Sequence, residues 1–410
     1  MKSNYKRIGN YIKEIKVRNT EQKAEQLLGI NIDKFFMPSV ANVVGTDLSV
    51  YKLVRKYQFA CNRMHVGRDY RLPISMSKSD EEFMVSPAYD VFEIKDTEVL
   101  NPEFLMMWFT RKEFDRNAWF YTDADVRGGL PWKSFCDMQL PIPHINKQRV
   151  IVKEYNTIQN RINLNNQLIQ KLEETTQAIY KQWFVEFEFP DENGKPYKSN
   201  GGEMIECEIG VIPKNWEHKE IASICDISSS KRIFESEYQK FGIPFYRGKE
   251  ITQKKAGDVI SDLIYISNER YNELVKNYGK PSQGDILMTA VGTIGSTYMV
   301  DDERFYFKDG NVIWFKEFKQ KGSNYFLYDF MQTEQFSNLI NEITIGSTQS
   351  AITIKTFGQQ KLVFPENKIL KKYLSLSSVL NNNLKHIKNE NYKLSELKEL
   401  LLSKLATGEN

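Results

Sequence analysis

A chain of 410 residues with 41% hydrophobic and 13% aromatic content has material for two or three cores, which excludes a disordered protein. Its 56 basic and 53 acidic residues leave a net charge of +3, too small a surplus to argue for a nucleic-acid partner by itself. Cys61, Cys136, Cys207 and Cys225 lie far apart with no CxxC pair, which argues against a zinc site or disulfide framework and for reduced thiols in a cytoplasmic setting.

The opening stretch, MKSNYKRIGNYIKEIKVRN, is charged throughout, and no run approaches the roughly 18 apolar residues of a membrane span, so neither a leader nor a membrane helix is expected. Residues 1–146 read as a mixed α/β unit. Asp90-Val91-Phe92-Glu93-Ile94 has the character of a strand. Asn101-Pro102 followed by Phe104, Leu105, Trp108, Phe109 and Phe114 predicts an amphipathic helix with Pro in its first turn. Gln139-Leu140-Pro141-Ile142-Pro143 must be extended, because proline disfavours helical geometry in the residue before it.

Within this unit, the stretch from Arg63 to Arg71 holds Arg63, His65, Arg68 and Arg71 in nine positions. Arginine grips phosphate or reads a guanine edge bidentately, and Gly67 permits close backbone approach. The competing reading is a solvated loop with an Asp69 salt bridge. Arg127, before Gly128-Gly129, is a similar candidate.

From 147 to 187 the period becomes that of a long helix. Tyr155, Ile158, Ile162, Asn165, Ile169, Leu172, Thr176, Ile179 and Trp183 alternate at spacings of three and four, a heptad seam with two polar positions. At ~1.5 Å per residue the rod measures roughly 60 Å. Asn165 either fixes register or is a solvent-facing defect. Residues 188–212, rich in Gly, Pro, Asp and Asn, read as a linker.

The second unit spans 213–366. Its candidate DNA contacts are Lys231 and Arg232 after three serines, then Tyr246, Arg247 and Lys249. Ser347, Thr348 and Gln349 form a polar loop in which glutamine could pair with adenine, and a plain hydrophilic loop is an equal reading. Gly284-Asp285-Ile286-Leu287 and Gly292-Thr293-Ile294-Gly295 look like strand and turn chemistry. Residues 367–410 form a last long helix, with Leu380, Leu384, Ile387, Leu394, Leu401 and Leu405 on one face.

The two halves echo each other. Phe104-Leu105, Phe114, Phe135, Leu140, Pro143 and Asn160 recur 222 residues later as Phe326-Leu327, Phe336, Phe357, Leu362, Pro365 and Asn382. Lys6 and Ile8 recur as Lys219 and Ile221 at an offset of 213, so the ends of each unit are alike while the middles differ. Each rod leaves an apolar stripe wet when alone, and antiparallel pairing of the two resolves this. The expected fold is therefore α+β: two mixed α/β recognition domains separated by two long antiparallel helices forming a coiled coil, a pseudo-two-fold repeat.

No Asn/Asp-Pro-Pro-Tyr/Phe methyltransferase motif and no Walker A sequence occurs, and His65, His144, His218 and His386 lack metal-ligand spacing. No active site is expected in this chain.

The segment KLEETTQAIYKQWFVEFEFPDENGKPYKSNGGEM with GVIPKNWEHKEI resembles the central region of DNA specificity subunits of type I restriction–modification systems. The glycine-containing strand pieces and the terminal LSELKELLLSKLATGE resemble them too, in the same order along essentially the whole chain. The resemblance implies a non-enzymatic subunit whose recognition domains each read one half of a split double-stranded DNA target, with the helices as ruler. It further implies docking of two methyltransferase subunits and recruitment of motor-nuclease subunits, with Ile179, Tyr180, Trp183 and Phe184 serving the helix pair or the docking surface. No cofactor is expected in this chain; S-adenosylmethionine, ATP and Mg would sit on the partners. Competing readings are a complete DNA-modifying enzyme, or a coiled-coil DNA-binding regulator that acts without methyltransferase subunits.

Overall fold

The computed structural model describes residues 5–40, 45–64, 66–122, 128–207, 210–258, 260, 262–344 and 351–407. The chain divides into two compact units, one of residues 1–162 with 394–410, the other of residues 163–393.

In the first unit, four antiparallel strands assemble in the order Ile12–Ile15, Asp90–Ile94, Phe59–Cys61, Ile74–Met76. Phe59 stacks on Phe92 across neighbouring strands at 5.0 Å, and Phe104, Leu105, Phe109, Phe114 and Phe135 join them in one core. These residues come from the helices Pro102–Phe109, Lys112–Phe120 and Trp132–Asp137. The expected N-terminal cap holds: Asn101 Oδ1 accepts the Glu103 and Phe104 amides at 2.9 and 3.1 Å, with Pro102 first in the helix. The single amphipathic helix expected through Phe114 is instead two. Thr110 Oγ1 bonds back to the Met107 carbonyl at 2.7 Å, and buried Arg111 stacks on Trp108 at 4.4 Å, so the chain bends between them.

The second unit repeats this frame. Its four strands run Asp226–Ser228, Val312–Lys316, Ile286–Thr289, Thr297–Met299 in the same neighbour order. Helices Ser323–Phe330, Glu334–Ile343 and Ile354–Gly358 follow. The phenylalanines and leucines that recur at 222 residues are buried in both copies. In the first unit Tyr5–Arg7 pairs with Gln139–Pro141, setting Lys6 opposite Leu140. In the second, Glu217–Glu220 pairs with Lys361–Phe364, setting Lys219 opposite Leu362. The register is thus repeated residue for residue.

The middles differ, as the offset slip implies. The first unit inserts the hairpin Leu28–Ile30 with Phe36–Pro38 and the antiparallel pair Lys52–Val54 with Phe83–Val85. The second inserts a three-stranded sheet around Ile243–Tyr246 and helices Gly248–Ala256 and Asn268–Tyr278.

The long helices are Ile145–Tyr180, ending in the wider π turn Lys181–Val185, and Asn367–Thr407. Within the first unit, Val152 shares the core with Leu402 and Leu405, and Lys398 Nζ donates to Gln159 at 3.2 Å. Within the second, Asn165 Nδ2 donates to Glu390 and Asn391 at 3.0 and 2.9 Å, Lys388 meets Glu173 at 3.0 Å, and Trp183 packs on Tyr373. Partner numbers fall as residue numbers rise, so the segments are antiparallel. Every seam position from Tyr155 to Trp183 is shielded at least in part. Asn165 is only 3% exposed and its Nδ2 donates to two residues of the C-terminal helix, which excludes the solvent-facing reading and favours a role in register.

One reading needs correction. Residues 188–212 are not slack: Phe189 is buried, stacked on Tyr197 and Trp216 at 4.5 and 5.0 Å, and the polar residues around it build turns. Of the two roles expected for Tyr180, Trp183 and Phe184, the helix pair is the one seen: all three are buried against Tyr373 of the C-terminal helix.

The two units anchor their helices differently. Asp329, 2% exposed, accepts hydrogen bonds from Tyr373 at 2.8 Å and Ser377 at 2.5 Å on the C-terminal helix. The residue 222 positions earlier is Met107, and the first unit seals its junction with apolar contacts. Among the described residues no helix is long and apolar enough to cross a membrane.

Candidate nucleic-acid interface

In the first unit the chain leaves Phe59–Cys61, traverses residues 62–72 and returns on Ile74–Met76. Three fastenings shape this excursion. The Leu130 amide donates to the Arg63 carbonyl at 2.9 Å, and the Gly67 amide donates to the Gly128 carbonyl at 2.7 Å. A Cβ on Gly128 would stand 2.6 Å from Gly67 Cα, and one on Gly67 would stand 2.7 Å from Gly128 Cα, so only paired glycines allow the approach. Asp115 Oδ1 then accepts the Leu72 amide at 3.1 Å and the Lys34 ammonium at 2.8 Å. That ion pair is nearly closed to solvent, at 5% and 12% side-chain exposure; burial pulls the Lys34 pKa down while Asp115 pulls it back up.

The Arg63–Arg71 stretch and the Gly128-Gly129 stretch, distant in the chain, are therefore one surface. His65 and Arg127 lie outside the described residues. Arg63 is half-withdrawn: it pairs with Asp90 at 2.6 Å, donates to the Leu130 carbonyl and lies over Trp132 at 5.5 Å. Its guanidinium braces the loop. Arg68 and Arg71 project, the first paired with Asp69 and the second with Asp33, each at 2.7 Å. The salt-bridged loop and the basic surface coexist here, because exposed pairs of this kind are weak and exchange readily for phosphate.

The second unit has a matching excursion, residues 290–296, between Ile286–Thr289 and Thr297–Met299. Here the Ile352 amide donates to the Ala290 carbonyl at 3.1 Å, the counterpart of the Leu130–Arg63 bond, and Val291 bridges to Ala351. Thr289 Oγ1 accepts the Ser296 amide at 2.9 Å, and Gly292 and Gly295 adopt φ of 78° and 79°, so Gly292–Gly295 is a hairpin turn as read. Ser347, Thr348 and Gln349 lie outside the described residues.

The other second-unit candidates are dispersed. Lys231 sits over the Tyr278 ring at 4.9 Å, Arg232 pairs with Asp309 at 3.2 Å, and Lys249 faces Asp262 at 3.5 Å; all three are exposed. Ser229 and Ser230 spend their hydroxyls on the Val312 and Phe307 carbonyls. Arg247 is tied to fully buried Glu250 at 2.6 Å, and Glu250 also accepts the Arg247 backbone amide at 2.8 Å where the helix Gly248–Ala256 begins. Tyr246 must be withdrawn as a base contact. It is 5% exposed, stacked on Phe305 at 4.4 Å, and its hydroxyl donates to Glu303, so its ring is core. Among the described residues no His, Cys, Asp and Glu cluster could hold a metal ion.

A profile of the type I restriction modification DNA specificity domain matches residues 213–396. The type I restriction enzyme HindI specificity subunit of Haemophilus influenzae is 22% identical over 437 residues, covering 92% of each chain. Residues 213–396 thus match the type I specificity domain, and the chain resembles type I specificity subunits along nearly its whole length. A second protein of that organism, the putative type I specificity subunit S.HindORF215P, is 29% identical over 193 residues, 45% of this chain and about half (47%) of its own length. The type I S subunit crystal structure from M. genitalium shares the fold, with a TM-score of 0.58 over 98% of this chain and 95% of that one at 13% identity.

Residue patterns missed three features of this chain. The Lys34–Asp115 pair joins residues 81 positions apart and has no local signature. The Gly67–Gly128 contact was half visible, since both glycines stood beside candidate arginines. Tyr70, Trp119, Phe120 and Tyr121 form an exposed aromatic row beside the first-unit loop, and the Trp-Phe-Tyr run closing a helix was its available signal.

Proposed function

We propose that this chain is the DNA-reading and assembly subunit of a type I restriction–modification complex and carries no chemistry of its own. Each unit reads one half of a split double-stranded target with the loops at the end of its four-stranded sheet: residues 62–72 and 128–130 in the first, 290–296 with 351–352 in the second. In the first unit Arg68 and Arg71 supply phosphate or guanine contacts; in the second Lys231, Arg232 and Lys249 hold backbone. The long helices set the gap and dock two methyltransferase subunits, which bind S-adenosylmethionine; motor-nuclease subunits with ATP and Mg complete the restriction form, in the cytoplasm.

The observation that carries this reading is the repeated frame, with the same strand order, the same register at Lys6–Leu140 and Lys219–Leu362, and unlike middles. A constant frame with two different inserts suits a target of two different halves. Co-expression with candidate methyltransferase subunits, followed by mapping of methylated adenines, should yield one split motif with a constant gap. Continuous motifs, or methylation independent of this chain, would refute it.

A further inference from the structure

The first unit holds four aromatic rings out of its core. Phe120 is 78% exposed, Tyr70 62%, and Trp119 and Tyr121 about half. Tyr70 and Trp119 meet edge to face at 5.2 Å, and Phe120 meets Tyr121 at 5.4 Å. The helix Lys112–Phe120 explains half of this: it buries Phe114, Asp115 and Ala118, so Lys112, Arg116 and Trp119 share the outer side. Tyr70 is placed by a left-handed backbone, φ 57°, which non-glycine residues adopt only at a cost. Exposed rings gathered this way mark a binding surface.

Taking the DNA-reading role above as given, we infer that Tyr70, Trp119, Phe120 and Tyr121 stack against or wedge into a base step of the first unit's half-site. Arg68, Arg71, Lys112 and Arg116 would hold the flanking phosphates. Two observations favour duplex DNA over a docked protein. The row is interleaved with four exposed basic side chains, and the acids pairing with the arginines (Asp69, Asp33 and Glu113) are surface partners that phosphate can displace. The row is also unrepeated: 222 residues on, Trp119, Phe120 and Tyr121 become Asn341, Glu342 and Ile343. Two identical methyltransferase subunits would need equivalent surfaces on both halves, whereas two unlike half-sites would not. Apolar side chains inserted at a step unstack it and bend the duplex, so the first unit would read deformability as well as base edges.

The test uses the full chain assembled with its methyltransferase subunits, on duplexes bearing the mapped split motif. 2-Aminopurine is placed in turn at each position of each half-site. Apart from the adenine that each methyltransferase flips out of the stack, binding should raise fluorescence at one step of the first half-site and at none of the second. Trp119→Ala and Phe120→Ala should abolish that rise and weaken binding by about 5- to 160-fold, the range for loss of a stacked ring, with an unchanged circular dichroism spectrum. Unaltered fluorescence and affinity in both variants overturns the inference while leaving the specificity role standing. So does loss of methyltransferase stoichiometry by native mass spectrometry, which would make the row a protein interface. A wild-type assembly that selects no split duplex would bring down the parent reading, and this one with it.

Discussion

Replacing Asp329 with asparagine should stabilise the second unit at neutral pH and leave it unchanged in mild acid. The carboxylate is buried between the helix Ser323–Phe330 and the C-terminal helix, and burial pushes its pKa up to about 6, against the pull of the Ser377, Tyr373 and Asn381 hydrogen bonds. The ordinary value is 3.8. Two pKa units at ~1.36 kcal/mol each amount to roughly 3 kcal/mol. The folded carboxyl holds its proton more tightly than the unfolded one, so its stabilising contribution is complete below pH 3.8 and is lost as pH rises through about 6. Asparagine mimics the protonated form. In urea denaturation followed by tryptophan fluorescence (Trp183 and Trp216 lie in the same core), the two proteins should coincide near pH 4. They should diverge to at most about 3 kcal/mol in favour of the variant near pH 7.5. A difference that stays constant with pH, or grows in favour of Asp329, would refute the reasoning.

Asp115→Ala strands the Lys34 ammonium without its counter-ion and should cost about 3–5 kcal/mol in melting experiments; a loss below about 1 kcal/mol would mean the pair is wet in solution. Gly128→Ala forces a methyl against Gly67 Cα at 2.6 Å, so discrimination at the first half-site should fall while the second half-site is read normally, and equal losses at both would contradict the loop assignment. Inserting seven residues into both long helices, after Ile162 and before Leu394, adds roughly 10 Å and should lengthen the methylated motif's gap by about three base pairs. An unchanged gap would remove the ruler.

Local chemistry made much of this protein readable in advance. Asn101-Pro102 announced a capped helix, Asp90–Ile94 a strand, and the three-four spacing from Tyr155 to Trp183 a seam whose polar member, Asn165, is buried and bonded. Recurrent phenylalanines predicted a duplicated core because packing constrains large rings most tightly. The misreadings share a different cause. Tyr246 sits beside Arg247 and Lys249 in the chain, yet both faces of its strand are covered, Phe245 packing in one cluster and Tyr246 on Phe305 in another. Phe189 stands among turn residues, but Trp216 captures it. The Asp115 contacts with Lys34 and Leu72 depend on chain crossings that no short window contains. Burial of a polar group is decided by what lies opposite, and what lies opposite is a property of topology.

The stitching of Tyr5–Arg7 to Gln139–Pro141, and of Glu217–Glu220 to Lys361–Phe364, brings the entrance and exit of each α/β module side by side. A module closed at its own doorway can be exchanged for another of unlike interior without rethreading the rest of the chain. New DNA targets would then be reached by swapping whole inserts between two fixed seams, a far shorter route than accumulating point changes in a shared core.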